Sequence, residues 1–563
     1  MMERASGAPE PEPPSAEEAS PQLTEEQQVR LSGYGSVQDV RSGEVVFRPG
    51  ELAYDLILVE SGTIELVAPQ GQDEDEDEAV VATYRHGGFI GELNLLTRQT
   101  VHLAARVVEP GRIYRIPPAE FRRLMADESD LSDLLLRAFL ARRDRLRAGA
   151  VARRLEIVGV GASAAGLALR TYAARQRLPH LWVEAGGPAG DRIMTSAGLA
   201  SADLPAVLAP GRVLRRATPA ELATMLGLAY RAAEGGPVDL TVVGSGPAGL
   251  AAAVYGASEG LETVVLDSVG TGGQAAASSR IENYLGFPTG LSGGDLMQRA
   301  TLQALKFGAR LSSPCRVAAL ETGHDYMRVV LADGTGIDSR AVLVATGARY
   351  RKLPLASWDQ LEGAGIYYAA TNLEAQLCSG QAITVVGGAN SAGQAALFLA
   401  SCGCDVTLAV RGSDVTAGMS SYLIDRLRAD PRVTVRPSTE VTELHGGERL
   451  QRITLTDRSS GASWEQPCRG LFCFIGASAA TEWLPGLAKD PHGFLRTDVQ
   501  LDPYPLSPVW AALGRSPFPF ESSEPGVFAA GDVRSGSMKR VAAAVGEGAS
   551  AVHSVHAAIG TNL

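Results

Sequence analysis

The chain of 563 residues has six cysteines, at positions 315, 378, 402, 404, 468 and 473, and no two of them are separated by two residues. That excludes a local Cys-x-x-Cys redox site, and it supplies neither a zinc knuckle nor a disulfide framework. No metal site is expected. Lysine is scarce: Lys306, Lys352, Lys489 and Lys539 stand among 51 basic residues, and the formal charge is −12. Such a balance argues against nonspecific nucleic-acid binding, and the arginine bias points to a GC-rich bacterial genome. No uninterrupted apolar run reaches the roughly 18 residues of a membrane-spanning helix. The first residues carry no basic, apolar leader, so a cytoplasmic protein without membrane partners is expected. What is present is globular: 45% hydrophobic and 20% charged residues, over a length that suits three or four domains of roughly 150 residues.

Two glycine loops stand out. The first, Val243-Gly244-Ser245-Gly246-Pro247-Ala248-Gly249, follows an apolar run from Val238 and opens a stretch of small residues. Strand, glycine turn and helix are what a dinucleotide site requires, because glycines let the backbone reach a pyrophosphate at a helix N-terminus. Asp267 ends the next apolar run, about 20 residues on, where an acid meets an adenosine ribose. The second loop is Val386-Gly387-Gly388-Ala389-Asn390-Ser391-Ala392. After the strand that follows it, Asp405 to Val410, comes Arg411, which suits the 2′-phosphate of NADP; the alternative is a solvated arginine, with Asp414 close behind.

From about Val238 to Ile559 the chain resembles thioredoxin reductase, a flavoenzyme with FAD and NADPH domains. The words that carry the resemblance are Gly272-Gly273-Gln274, Ile281-Glu282-Asn283-Tyr284, Ala345-Thr346-Gly347, the second glycine loop, and Val527-Phe528-Ala529-Ala530-Gly531-Asp532-Val533. The resemblance implies that Gly244, Gly246, Gly249, Gln274, Asn283 and Asp532 hold FAD; Gly273, Thr346, Gly347 and Gly531 of the same words, and Asp267 by its spacing, are further candidates for it. It assigns Gly387, Gly388, Asn390, Ser391 and Arg411 to NADPH, and it implies a homodimer and hinges near 345–353 and 475–480. In that family a Cys-x-x-Cys lies shortly before the NADPH loop; here those positions are Ala370 and Leu373. The usual third glycine of the second loop is Ala389. A dithiol relay needs two sulfurs in reach, so ordinary thioredoxin reduction is not expected, and Cys378 reads as a buried small residue. Glu374 is the one candidate polar side chain near the flavin.

Met1 to about Glu26, rich in Pro, Ala and Glu, reads as a mobile tail. From Leu31 to about Pro117 short β-branched runs alternate with glycine turns, the pattern of a small barrel or jelly roll, closed by a helical stretch from Pro118 to about Arg154. The acidic run 73–78 reads as a solvated hairpin loop. Phe89-Ile90-Gly91-Glu92-Leu93-Asn94-Leu95-Leu96 resembles the start of the phosphate-binding cassette of cyclic-nucleotide-binding domains. The resemblance implies that the short helix after Gly91-Glu92 offers backbone N–H groups to a cyclic phosphate and that Glu92 takes a ribose hydroxyl. The cassette's arginine is replaced by Thr100-Val101-His102, flanked by Arg98 and Arg106, which leaves two readings: a cyclic nucleotide site, or a retained fold used for docking or dimerisation.

Residues about 154 to 230 read as βαβ, a β-hairpin and a helix, an order similar to thioredoxin and glutaredoxin, with Leu204-Pro205 at the family's cis-proline position and no cysteine at Gly161 to Ala165. A third dinucleotide loop at Gly159 to Ala164 is the alternative. The expected organisation is therefore a tail 1–26, a β jelly roll 27–153, a small α/β thioredoxin-like unit 154–232, a Rossmann-like FAD domain 236–350 and 477–563, and a Rossmann-like NAD(P)H domain 351–476. The expected function is hydride transfer from NADPH to FAD and on to a ferredoxin, flavodoxin, quinone or small acceptor; the alternative is a redox sensor with little turnover.

Overall fold

The computed structural model describes residues 14–51, 54–68, 79–97, 101, 103–148, 155–161, 163–176, 178, 180–209, 212–230, 236–278, 281, 284–323, 326–370, 372–447, 449–501 and 508–560. The acidic run 73–78, Arg98, Thr100, His102 and Asn283 lie outside them.

In the N-terminal unit two 13-residue strands, Leu56–Ala68 and Ala104–Ile116, pair antiparallel with Ile64 opposite Val107. They form the spine of a six-stranded sheet. Leu56 to Val59 are buried in succession, whereas in the partner strand Ala105 and Val107 are buried on either side of half-buried Arg106, the alternation of a sheet with one covered face. Helices Pro118–Asp127 and Ser129–Ala148 close the unit. Residues 14–26, expected to be a mobile tail, are instead ordered. Ser15 and Thr24 cap short helices reciprocally with Glu18 and Gln27, Leu23 enters the core, and Arg142 donates to the Ala19 carbonyl at 2.6 Å. The capping boxes satisfy helix-end donors, and the buried Leu23 offsets the ordering cost that composition alone suggested would prevail.

The middle unit has four strands in the order Arg212–Leu214, Ala206–Ala209, Glu156–Gly159, Leu181–Glu184. The last two pair parallel across helix Ala164–Arg175, and the other pairings are antiparallel. The Leu204-Pro205 peptide is cis. The segment read from sequence as a loop between His180–Glu184 and Leu204 contains a further helix, Pro188–Ser196, started by a proline in its first turn.

Two sheets with parallel cores follow, the first extended at one edge by the antiparallel strands Met327–Leu331 and Val317–Thr322. In the first, Val238–Val243 lies between Thr263–Leu266 and Gly336–Val344, and Val527–Ala529 joins the far side of Gly336–Val344. In the second, Ala382–Val386 lies between Asp405–Ala409 and Gly470–Cys473. Each buries a near-continuous apolar run, as strands covered on both faces must. The two chain crossings between the sheets pair with each other: Ala348–Tyr350 runs antiparallel to Ala477–Ala479. This two-stranded ribbon coincides with both hinge segments expected from the sequence. Among the described residues no helix is long and apolar enough to cross a membrane.

Candidate functional site

The first glycine loop forms a backbone cradle. Gly244 has φ +108, and a Cβ there would collide with the Ala345 carbonyl. A Cβ on Gly249 would collide with the Gly244 carbonyl. Gly246 differs: the nearest atom to a Cβ there is the Cα of Gly273, at 3.8 Å. Two glycines thus face each other and keep that space free of side chains. Helix Pro247–Ser258 starts on Gly246 with no side-chain cap, which leaves its first N–H groups for an anion.

Around the cradle the sequence-predicted residues converge. Thr346 Oγ1 donates to the Ala480 carbonyl at 2.9 Å, Gln274 Nε2 donates to the Ala348 carbonyl, and a Cβ on Gly347 would meet open space. Gly531, φ +76, lies against Ala248 in the first turn of the cradle helix. The neighbouring Asp532 carboxylate has no hydrogen-bond partner among the described residues, and burial raises its pKa. An unmatched, half-buried carboxylate fits a ligand hydroxyl donor. Asp267 is more committed than the sequence implied. Its Oδ2 accepts from Ser245 N and Oγ, both at 2.8 Å, and its Oδ1 accepts from Val269 N and Gly270 N at 2.9 and 3.0 Å. Four donors fill a carboxylate's acceptor sites, so Asp267 fastens the loop itself.

Sequence reasoning missed Glu547. It accepts from Gly531 N at 2.7 Å and bonds Arg534 through both oxygens, at 3.2 and 2.8 Å, fixing the turn that presents Asp532. Nothing local marks it, since it lies inside a helix, Val541–Ile559, of mostly small residues.

The second cradle sits on the other sheet. Helix Asn390–Ser401 also starts without a side-chain cap, on Ala389. Asn390 Oδ1 accepts from Ser420 N at 2.8 Å, which folds the segment after Arg411 back over the loop, and Gly418 is close enough to Gly388 that a Cβ would come within 2.7 Å of its carbonyl oxygen. Ser391 and Arg411 are exposed. Asp414 is taken by the Thr416 N–H and hydroxyl, at 2.8 and 2.6 Å, which hold its carboxyl below the usual range. It therefore does not compete for Arg411.

At the vacated dithiol position, Ala370 packs against the cluster that holds Tyr367, Ala375 and Cys378, and Leu373 falls in helix Asn372–Cys378. Cys378 is fully buried, and burial pushes its thiol up to about 12. Leu167 of the middle unit packs on the same cluster, and Glu374 lies within the electrostatic reach of Arg170 and Arg175 from the same helix as Leu167. The vacated position thus faces the middle unit.

In the N-terminal cassette Gly91 is tightly enclosed by Leu56, Leu95 and Phe139. Glu92 is bound by Arg143 through both oxygens, Nη2 to Oε2 at 2.7 Å, and Arg143 also donates to Asn94 Oδ1 at 2.9 Å. Arg142 donates to the Gly91 carbonyl at 2.5 Å. Both arginines belong to the closing helix Ser129–Ala148, fifty residues from the cassette, and no local pattern announces them.

Comparison with known proteins follows these units. Residues 238–548 match the family "Pyridine nucleotide-disulphide oxidoreductase", and residues 37–128 match "Cyclic nucleotide-binding domain". A thioredoxin reductase of Streptomyces clavuligerus is 34% identical over 320 residues, 56% of this chain and 91% of that protein. A thioredoxin reductase of Mycolicibacterium smegmatis is 32% identical over 319 residues, 56% of this chain and 94% of that protein. The crystal structure of Lactococcus lactis thioredoxin reductase in its FR conformation superposes with a TM-score of 0.50 at 25% identity, covering 57% of this chain and 99% of that one.

Proposed function

Since the chain belongs to the pyridine nucleotide-disulphide oxidoreductase family, we propose that it is an NADPH-dependent FAD oxidoreductase of thioredoxin-reductase type that passes electrons on without a dithiol of its own. One observation carries the reading: two uncapped glycine cradles, each after a strand with parallel neighbours, with Ala370 and Leu373 where a dithiol would stand. A bound flavin would supply the two-electron chemistry between reduced nicotinamide and an acceptor. The protein's part is placement. Gly244, Gly246, Gly249 and the N-terminus of helix Pro247–Ser258 suit the FAD diphosphate, and Gly273, Gln274, Thr346 and Gly347 border it. Gly531 and Asp532 suit the ribityl hydroxyls. Gly387, Gly388, Asn390, Ser391 and the exposed Arg411 suit NADPH, with the guanidinium toward the 2′-phosphate.

Cys378 cannot replace the missing relay, because its thiol stays protonated and buried. The acceptor is therefore one that takes electrons from the flavin directly: a ferredoxin, a flavodoxin, a quinone or a small molecule. The strand order of the middle unit supports a thioredoxin-like reading without redox function. The N-terminal domain is read as a docking module. Glu92 is already paired, and Leu302 and Leu305 of helix Gly293–Lys306 enter the domain's core.

A second reading, a sensor with little turnover, draws on that same helix. Met297 touches Gly272 of the flavin loop while Leu302 and Leu305 hold the N-terminal domain, so a shift in one reaches the other. Anaerobic titration of the purified protein with NADPH, followed by flavin absorbance, separates the two. Full bleaching at near-stoichiometric NADPH is expected; no bleaching would favour the sensor.

A further inference from the structure

Helix Ala164–Arg175 and the residue after it lie against both nucleotide-binding units. Toward the NAD(P)H unit, a Cβ on Gly363 would come within 3.2 Å of Ala164 Cα, and Leu167 packs on the cluster around Tyr367. Toward the FAD unit, Tyr172 Oη donates to the Ser313 carbonyl at 3.2 Å and Gln176 Nε2 donates to Ser313 Oγ at 2.6 Å. At the end of the helix Arg175 reaches the loop that runs from Asp267 to Gly273. Its stem covers Gly270, where a Cβ would lie 3.2 Å from Arg175 Cβ, and its Nη1 donates to the Gly270 carbonyl at 3.3 Å.

That one bond is the guanidinium's sole hydrogen bond among the described residues, though it carries five N–H donors. The side chain is half-buried, and burial is the main influence on its pKa, which it lowers, with Asp267, Tyr350 and Glu374 opposing. Neither nearby acid of the flavin unit answers it. The Asp267 oxygens are filled by four loop donors, and Asp532, which shares the neighbourhood of Tyr350, has no hydrogen bond to it. Asp267 and Glu374 favour the charged guanidinium from a distance, without a direct ion pair among the described residues, which leaves its remaining donors to a closer anion. The group that belongs between Asp267 and Asp532, along the cradle of Gly244 and Gly246, is a dinucleotide diphosphate, whose oxygens match the planar donor fork of arginine.

We propose that Arg175 of the middle unit binds the diphosphate of the dinucleotide on the first cradle, so that the flavin site is completed by a unit outside the reductase fold. The proposal rests on the FAD reading above. It gives the thiol-free middle unit a function: its docking supplies a cation to the flavin.

The test is FAD affinity of the full-length protein, measured by flavin fluorescence on reconstituting the apoprotein, with circular dichroism to confirm folding. Arg175→Ala should weaken FAD about ten- to a hundredfold, the range of a charge-assisted hydrogen bond, and Arg175→Lys should recover part of the loss. Gln176→Ala removes a docking contact without a charge and should leave FAD affinity within about twofold. Arg175→Ala binding FAD as tightly as the parent would overturn the proposal, and so would an equal loss in Gln176→Ala, which would make docking alone the cause. A parent protein that binds no FAD would instead sink the FAD reading itself, whatever the variants do.

Discussion

Arg143 holds Glu92 through both carboxylate oxygens, and the two side chains are 1% and 14% exposed. The acid that would receive a ribose hydroxyl in a cyclic-nucleotide cassette is thus occupied by the domain's own closing helix. Calorimetry with cAMP and with cGMP on the full chain should show no binding in the micromolar range; saturable heat there would overturn the docking reading. Arg143→Ala leaves a carboxylate unpaired in a buried setting, and should cost the domain about 3 kcal/mol in urea unfolding.

Gly246 faces Gly273 across the first cradle, with 3.8 Å between a Cβ built on Gly246 and the Gly273 Cα. Gly246→Val puts a branched side chain where the diphosphate should lie. The variant should fold and purify colourless, with FAD retention lost. A yellow Gly246→Val protein would place the flavin elsewhere.

Arg411 is exposed at the end of strand Asp405–Ala409, and Asp414 is diverted into its own turn. Arg411→Ala should raise the KM for NADPH about tenfold or more, the worth of one charge-assisted hydrogen bond, and leave that for NADH unchanged. Equal losses would remove the 2′-phosphate contact from the account.

Burial raises all six thiols above their ordinary value of 9: Cys402 upward, Cys315 and Cys404 to about 11, and Cys378, Cys468 and Cys473 to about 12. The folded chain keeps these protons where the unfolded chain has released them. Their contribution is therefore full below pH 9 and is lost as pH rises toward 11 and 12. The urea midpoint should fall across that window, and replacing Cys378 with Ala should lessen the fall while leaving NADPH-driven flavin reduction intact. Iodoacetamide at pH 8 should label the half-buried Cys402 first; prompt labelling of Cys378 would contradict its burial.

Both cradles were legible because a dinucleotide loop fixes glycines within a few residues of one sequence stretch, and Gly244, Gly249 and Gly387 each stand where a side chain would strike backbone. The order of residues 14–26 was also signalled, by the Ser15 and Glu18 box and the Thr24 and Gln27 box, but a Pro- and Glu-rich composition outweighed those local signs. Helix Pro188–Ser196 hid behind Gly186-Gly187-Pro188, which reads as a turn although proline is at home in a first helical turn. Arg143, Arg175 and Glu547 were beyond reach for another reason. Each acts on a partner brought near only by tertiary folding: Arg143 on Glu92, Arg175 on Gly270 and Glu547 on Gly531. No period or motif in the chain records such a meeting.

The docking of helix Ala164–Arg175 against both nucleotide units bears on motion. The two-stranded ribbon Ala348–Tyr350 with Ala477–Ala479 is where the chain crosses between the two sheets, and any turn of one unit against the other would have to pass through it. A helix packed on both sides of that ribbon opposes the turn, and with no dithiol to serve only one arrangement is needed. Leu167 is the lever for a test, because it packs on the NAD(P)H unit while the middle unit's own core is built from Ile157, Leu169, Tyr172 and Leu222. Leu167→Asp buries an unpaired charge in that contact, at a cost of several kcal/mol if it stays docked, so the unit should detach yet remain folded. Small-angle scattering should then report an enlarged radius of gyration, and NADPH-driven flavin reduction should become slower as the domains sample unproductive orientations. Unchanged scattering with an unchanged rate would show that the helix does not hold the two units together.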